Sequence, residues 1–179
     1  MIRSAGDSRR SPTPGLYETP KMPTREPRTA FAWSLSAREF DMQTEFIELA
    51  GEVNQRMPYF CVERVARALN DHAKAVRGSR VGIFGVSYKP GVGDLRESPA
   101  LRIIRLLRDQ GAQIIYHDEF VPELPEHGLR SEWPEDVDVA VIVTAHPGLD
   151  LERVVREAPL VVDFRGVTRG IEAPNLVRL

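Results

Sequence analysis

The amino-acid sequence predicts an α/β fold: a Rossmann-like parallel sheet with helices on both faces, preceded by a helical segment. Short apolar runs at 81–86, 112–117, 137–143 and 160–163 have the pattern of strands covered on both faces. Segments with helical spacing at 100–107 and about 149–157 lie between them. Strands that alternate with helices in this way predict parallel strands joined by crossover connections.

Composition limits the possible function classes. The chain has 179 residues, 42% of them hydrophobic, which suits one domain or one domain with an appendage. A formal net charge of -2 gives no reason to expect nucleic acid or an anionic membrane as a partner. The single cysteine excludes an internal disulfide and is typical of a cytoplasmic protein. No apolar run approaches the roughly 18 residues of a membrane helix, and no signal peptide is recognisable.

The first part of the chain divides into two segments. Residues 1–30 are rich in Pro, Ser, Thr and Arg and are predicted to be a disordered tail, more readily one without function than a basic interaction arm. Residues 31–76 are predicted to be helical, with an apolar stripe that should pack either on the α/β domain or on a second copy of the chain. Pro58 should kink or restart this helix. The stripe consists of Phe46, Leu49, Ala50, Val53 and Met57, then Cys61, Val62, Val65 and Leu69.

A loop at 88–97, here called the cationic loop, follows the first apolar run and carries Lys89 and Arg96. Ser98 and Pro99 then give the preferred start of a helix. A strand end that opens into a glycine-bearing loop and a helix start is a common anion site, although an ordinary surface loop fits the chemistry equally well. A G-x-G-x-x-G motif is not formed by Gly82 and Gly85, so a dinucleotide is not expected there.

The carboxyl ends of parallel strands meet at one rim, where two arginines and a lysine would suit a diphosphate. The residues expected there are Tyr88, Lys89, Arg96, Asp118, Thr144, His146 and Arg165. His146 could act in acid/base chemistry, but a surface or capping role is favoured. Cys61 is interpreted as a buried helical thiol and not as a nucleophile, and Trp133 as a packing residue. No metal site and no catalytic residue is predicted.

Residues 85–100, Gly-Val-Ser-Tyr-Lys-Pro-Gly-Val-Gly-Asp-Leu-Arg-Glu-Ser-Pro-Ala, closely resemble the signature of the C-terminal, UDP-binding domain of the UDP-glucose/GDP-mannose dehydrogenase family. The resemblance extends over residues 31–179, through 46–54, 116–118 and 162–166. It implies that 77–179 form the UDP-binding α/β domain and that 31–76 are the end of the family's central dimerisation domain. A homodimer through helix 44–70 is then expected.

The resemblance also implies roles for single residues. Tyr88 and Lys89 correspond to positions that contact the substrate, and Arg165 to an arginine that holds the nucleotide sugar. Arg96 corresponds to an arginine that reaches NAD bound by the family's N-terminal domain. Asp118 matches the family's Asp, but Glu119 stands where Pro is usual.

The family oxidises a nucleotide sugar to its uronic acid with two NAD molecules and a cysteine nucleophile. Neither the NAD domain nor that cysteine has a counterpart here, so a truncated product or an unrelated leader is suspected. We expect a UDP-sugar-binding part of such an enzyme, inactive and without NAD by itself, whose sugar the sequence does not specify. A dimerisation scaffold with a vestigial nucleotide site and an enzyme completed by a separate NAD domain are the alternatives.

Overall fold

The computed structural model describes residues 45–178 of the protein. The chain divides into two compact units, Met1–Gly51 and Glu52–Leu179. In the first unit the described residues, 45–51, are helical. The predicted tail at 1–30 and the start of the predicted helical segment lie outside the described residues. The division at 76/77 stays a prediction.

Helix α1 (Glu45–Asp71) runs through Pro58 as one continuous element. Of the two outcomes predicted at Pro58, a restart is excluded, and a kink stays a prediction. In the second unit the helix buries the apolar side chains that follow Pro58, namely Cys61, Val62, Val65 and Leu69. These side chains join the core formed by the sheet, which is one of the two outcomes expected for the stripe. Val53 and Met57, two turns and one turn before Cys61, remain 43% and 38% exposed.

The strands follow in chain order as β1 (Arg80–Phe84), β2 (Gln113–His117), β3 (Glu123–Leu124), β4 (Leu129–Arg130), β5 (Val139–Ile142), β6 (Val161–Asp163) and β7 (Leu176–Arg178). Five of them form one sheet in the order β2-β1-β5-β6-β7, and every pair in it is parallel. The predicted parallel sheet is thereby confirmed.

Two elements differ from the prediction. The antiparallel pair β3 and β4 is not among the predicted strands, because strands of two residues are too short to show a period. Strand β7 was not predicted at all. Its Leu176 and Val177 are only half-buried at the edge of the sheet, so the segment lacks the apolar run that marks the central strands.

Helices α2 (Pro99–Asp109) and α3 (Leu151–Glu157) cover opposite faces of this sheet. The core on one side joins α1 and α2 to Val81, Ile83 and their neighbours, and the core on the other joins α3 to Phe84 and Ile142. Helix α2 begins as predicted, since the Ser98 hydroxyl accepts the Ala100 N–H. It is followed by Gly111 in the left-handed region, at φ 92°.

The strand order places the point where the chain reverses direction across the sheet between β1 and β5. From β1 the chain goes outward to β2 and then returns to the other side of β1. Ligands of open α/β sheets bind beyond the carboxyl ends of the strands at such a point. No helix within residues 45–178 has the length and hydropathy of a membrane span.

Candidate functional site

A buried carboxylate joins the ends of β1 and β2. Asp118 directly follows β2 and is 2% exposed. Its Oδ2 accepts hydrogen bonds from the N–H groups of Val86 and Ser87, at 2.7 and 3.1 Å, and its Oδ1 accepts one from Phe120 at 2.9 Å. The carboxylate therefore satisfies the first free amides after β1. These bonds link the loop that follows β1 to the end of β2.

His146, on the loop after β5, completes what we call the carboxylate–histidine cluster, composed of Ser87, Asp118 and His146. Its Nε2 lies 3.0 Å from Asp118 Oδ2 and 3.1 Å from Ser87 Oγ, and its Nδ1 accepts the Gly91 N–H at 3.0 Å. An amide can only donate, so Nδ1 is unprotonated and the neutral ring carries its proton on Nε2. His146 is 7% exposed. Of the two roles expected for His146, the surface role is excluded because the cluster encloses the side chain, and the capping role agrees with the bond from the Gly91 N–H.

Two hydrogen bonds and one close contact fix the backbone of the cationic loop. Tyr88 N–H donates to the Asp94 carbonyl at 2.7 Å, and the Ser87 hydroxyl donates to the Lys89 carbonyl at 3.2 Å. Gly93 passes so close to the Phe120 carbonyl that a Cβ atom at position 93 would lie 2.5 Å from that oxygen. The side chains of Tyr88 and Lys89 are exposed. A fixed backbone thus presents an aromatic ring and an ammonium group to solvent.

Arg96 of the same loop is paired with Asp94. Its guanidinium donates to both carboxylate oxygens, with N···O distances of 2.6 to 3.2 Å. These hydrogen bonds, together with the charge of Lys89, lower the pKa of Asp94 to about 2. The pairing uses Nε and Nη2 and leaves Nη1 outside these hydrogen bonds. Its predicted role in holding a cofactor stays a prediction.

A second buried aspartate, Asp163, holds the turn that carries Arg165. Asp163 ends β6, is fully buried, and accepts the N–H groups of Arg165 and Gly166 at 2.8 and 2.9 Å through Oδ1. Its Oδ2 accepts the N–H and the hydroxyl of Thr168, both at 2.8 Å. The turn leaves the Arg165 side chain exposed. Sequence reasoning missed this role of Asp163, although an Asp at the end of an apolar strand is a recognised turn former.

A small cavity of about 30 Å³, open to solvent, lies at the carboxyl ends of β1, β2 and β5. It is lined by Gly85, His117, Asp118, Glu119, Thr144, His146, Gly148 and Leu149. The lining has two acidic side chains and no lysine or arginine, so it suits neutral hydrogen-bonding groups better than a phosphate. Burial lowers the pKa of His117 in this wall.

The residues predicted to share the rim thus fall into two groups. Asp118, Thr144 and His146 line the cavity, and the Thr144 hydroxyl donates to the Ser87 carbonyl at 2.8 Å. The four residues predicted to bind substrate or cofactor, Tyr88, Lys89, Arg96 and Arg165, have exposed side chains outside this lining.

The described residues do not fit a dinucleotide at this strand end. In dinucleotide-binding folds the amides after the first strand bind the diphosphate. Here the amides of Val86 and Ser87 are bonded to a buried carboxylate instead. Among residues 45–178, no group of three or more His, Cys, Asp or Glu side chains is arranged to hold a metal ion.

Comparisons with known proteins give a consistent result. Residues 82–170 match the model of the UDP-glucose/GDP-mannose dehydrogenase family, UDP binding domain. The chain is 27% identical over 142 residues to a UDP-N-acetyl-D-mannosamine dehydrogenase of Pyrococcus horikoshii, covering 69% of this chain and 34% of that protein. It is 26% identical over 159 residues to a UDP-glucose 6-dehydrogenase of Rhizobium meliloti, covering 80% of this chain and 35% of that protein.

A solved structure of a UDP-glucose dehydrogenase from Pyrobaculum islandicum superposes with a TM-score of 0.63 at 28% identity, over 82% of this chain and 35% of that one. An NDP-N-acetyl-D-galactosaminuronic acid dehydrogenase from Methanosarcina mazei gives a TM-score of 0.69 at 20% identity, over 83% of this chain and 35% of that one, and supports the fold alone. The chain therefore spans about a third of the length of the relatives that it matches.

Proposed function

The chain belongs to the UDP-glucose/GDP-mannose dehydrogenase family through its UDP binding domain, and on this premise we propose that it binds a UDP-sugar as the C-terminal part of a nucleotide-sugar dehydrogenase. The substrate class is a UDP-hexose or UDP-N-acetylhexosamine, oxidised in the complete enzyme to the uronic acid. The observation that carries the proposal is the cationic loop, whose backbone is fixed by the carboxylate–histidine cluster while Tyr88 and Lys89 face solvent.

The positions of the cations suggest how the diphosphate is held. Asp118 occupies the amides at the strand end, so the phosphates must bind further out. We assign them to Lys89 and Arg165, whose exposed side chains give a point charge and a fork of donors. The ring of Tyr88 is placed to pack on the base or sugar.

Catalysis requires groups that the described residues do not supply. The family reaction needs NAD and a cysteine nucleophile, and we propose that both are provided from outside residues 45–178. Cys61 is 6% exposed, and burial raises its pKa to about 11, so it remains a thiol at neutral pH. We therefore propose that the chain is inactive and binds no NAD by itself. Its lone buried thiol suits a reducing compartment, which supports a cytoplasmic location.

The test is calorimetric titration of UDP into the purified chain, with NAD titrated separately. We expect heat from UDP and none from NAD. Lys89→Ala and Arg165→Ala should each weaken UDP binding by about 1.5–3 kcal/mol, the range for hydrogen bonds to charged groups. Lys74→Ala is the matched control, because Lys74 pairs with Asp138 beside the amino end of β1. Unchanged affinity in both site variants would refute the site, and activity restored by an added NAD domain would indicate a split enzyme.

A second candidate function, self-association through helix 44–70, has its own observation. Val53, Met57 and Phe60 lie on one face of α1 at helical spacing, and each is 38% to 43% exposed. We propose that this face forms a homodimer. In sedimentation, Met57→Glu should give a monomer, whereas Gln55→Glu, which adds the same charge on the opposite face, should not. A wild-type chain that is monomeric at high concentration would exclude the dimer. A dimer that binds no UDP would favour the scaffold hypothesis.

A further inference from the structure

We propose that His146 is a positioning residue for the nucleotide-sugar site, and that protonation of its ring releases the cationic loop. The inference rests on the proposed function, because it concerns the loop that carries Tyr88 and Lys89. His146 itself is buried, so it acts through the backbone of Gly91.

The argument begins with the donors and acceptors around the ring. Gly91 offers an N–H, which can only donate, and the carboxylate of Asp118 can only accept. A neutral imidazole with its proton on Nε2 satisfies both partners at once. Ser87 completes the set, because its hydroxyl lies 3.1 Å from Nε2 and donates to the Lys89 carbonyl. Two backbone groups of the cationic loop, two residues apart, are thus held by the cluster.

Protonation of the His146 ring disrupts its contact with the Gly91 N–H and keeps its hydrogen bond to Asp118. The imidazolium keeps its Nε2–H bond to Asp118, but its new Nδ1–H points at the Gly91 N–H, where two donors oppose each other. The Gly91 segment must then move away from the ring. Lys89, the proposed phosphate ligand, lies two residues from Gly91, so this movement disturbs the site directly.

Several further groups surround the His146 ring. From the end of β2 it meets Asp118, and the ring of Phe120 packs against it with centroids 4.7 Å apart. His117 and Glu119 share the cavity wall with it, and His117 is close enough for the two rings to interact electrostatically. The loop after β1 contributes Ser87 and, further along, the charges of Lys89, Asp94 and Arg96. His117 is thus a second titratable ring that the experiment must separate from His146.

The experiment measures binding of UDP-glucose to the full chain by calorimetry at about pH 8 and about pH 5.5, on either side of the ordinary histidine pKa. UDP-glucose is used because it has no phosphate monoester that would titrate in this range. We expect the wild type to bind about tenfold more weakly at the lower pH, the effect of one lost hydrogen bond. His146→Ala should bind weakly at both values.

His146→Gln is the informative variant, since its amide supplies an acceptor and a donor on neighbouring atoms and does not titrate. It should bind nearly as well as the wild type at about pH 8 and lose the pH dependence. His117→Gln, the matched control, should keep the wild-type pH dependence. Equal pH dependence in the wild type and His146→Gln, or full affinity in a folded His146→Ala chain, would overturn the proposal.

Hydrogen exchange of the Gly91 amide separates this proposal from the proposed function. If UDP-glucose binds at neither pH, the proposed function fails, but the amide still reports on the loop. Protection at about pH 8 that is lost at about pH 5.5 in the wild type, and kept in His146→Gln, supports the positioning role. A Gly91 amide that is unprotected at both pH values in the wild type refutes it.

Discussion

Two buried aspartates at the ends of parallel strands do different work. Asp163 receives four hydrogen bonds, and all four donors belong to the turn that follows it, within five residues. Asp118 receives its bonds from Phe120 nearby, from residues 31 and 32 positions earlier, and from His146, 28 positions later. The first carboxylate forms a local turn, whereas the second joins the ends of three strands. The sequence distance between a carboxylate and its hydrogen-bond donors therefore decides how many strands that carboxylate links.

The largest loss of unfolding free energy should come from a side chain placed at Gly85, next to the amides that Asp118 binds. Gly85 precedes the two amides that Asp118 binds, has φ 78°, and lies where a Cβ atom would be 1.8 Å from the Thr144 carbonyl oxygen. Gly85→Ala should therefore cost more than about 4 kcal/mol of unfolding free energy, or prevent folding. Gly91→Ala is the control, because Gly91 has φ 77° but open space around it, so it should cost about 1 kcal/mol. Urea denaturation measures both, and similar losses would contradict the steric argument.

Removing each carboxylate tests the comparison directly. Asp118→Ala leaves buried amides and the His146 ring without their partner and should cost about 3–5 kcal/mol. Asp163→Ala should cost less, about 2–3 kcal/mol, because the bonds to Arg165 and Gly166 are only partly buried and water can replace them. The difference is expected in urea midpoints, with UDP binding measured alongside. A larger loss for Asp163→Ala would mean that local turns matter more here than links between strands.

The smallest effect on stability concerns the partly exposed carboxylate of Asp94. Hydrogen bonds from Arg96 lower the pKa of Asp94 to about 2, from an ordinary 3.8. Because the pKa is lowered in the folded chain, any stabilisation is present above pH 3.8 and is lost as the pH falls toward 2. Carbon-13 NMR should place the Asp94 midpoint near 2, and Arg96→Gln should return it toward 3.8 with little change in stability. A midpoint that Arg96→Gln does not move would show that the pair is absent in solution.

Local patterns predicted most of the fold and the exposed position of the cationic loop. Apolar runs gave four of the five sheet strands, and Ser98 marked the start of α2. The exposure of Lys89 followed from its place in a polar loop. The pairing of Arg96 with Asp94, two residues apart, was also within reach of local reasoning.

The carboxylate–histidine cluster could not be predicted from local patterns. His146 meets Gly91 across 55 residues and Ser87 across 59, and no local pattern indicates which strand ends become neighbours. A histidine before a proline looks like a surface residue until the strand order places β5 beside β1.

The long sequence distance between His146 and its partners Ser87 and Gly91 also affects the order in which the protein folds. Strand β1 and the cationic loop are synthesised early, but the partner of Gly91 arrives only with the segment after β5. Contacts between distant parts of a chain form late, because loop-closure entropy opposes them. The nascent loop should therefore be open to proteases until β5 docks, and a ligand that binds the finished loop would stabilise the complete sheet in preference to any intermediate.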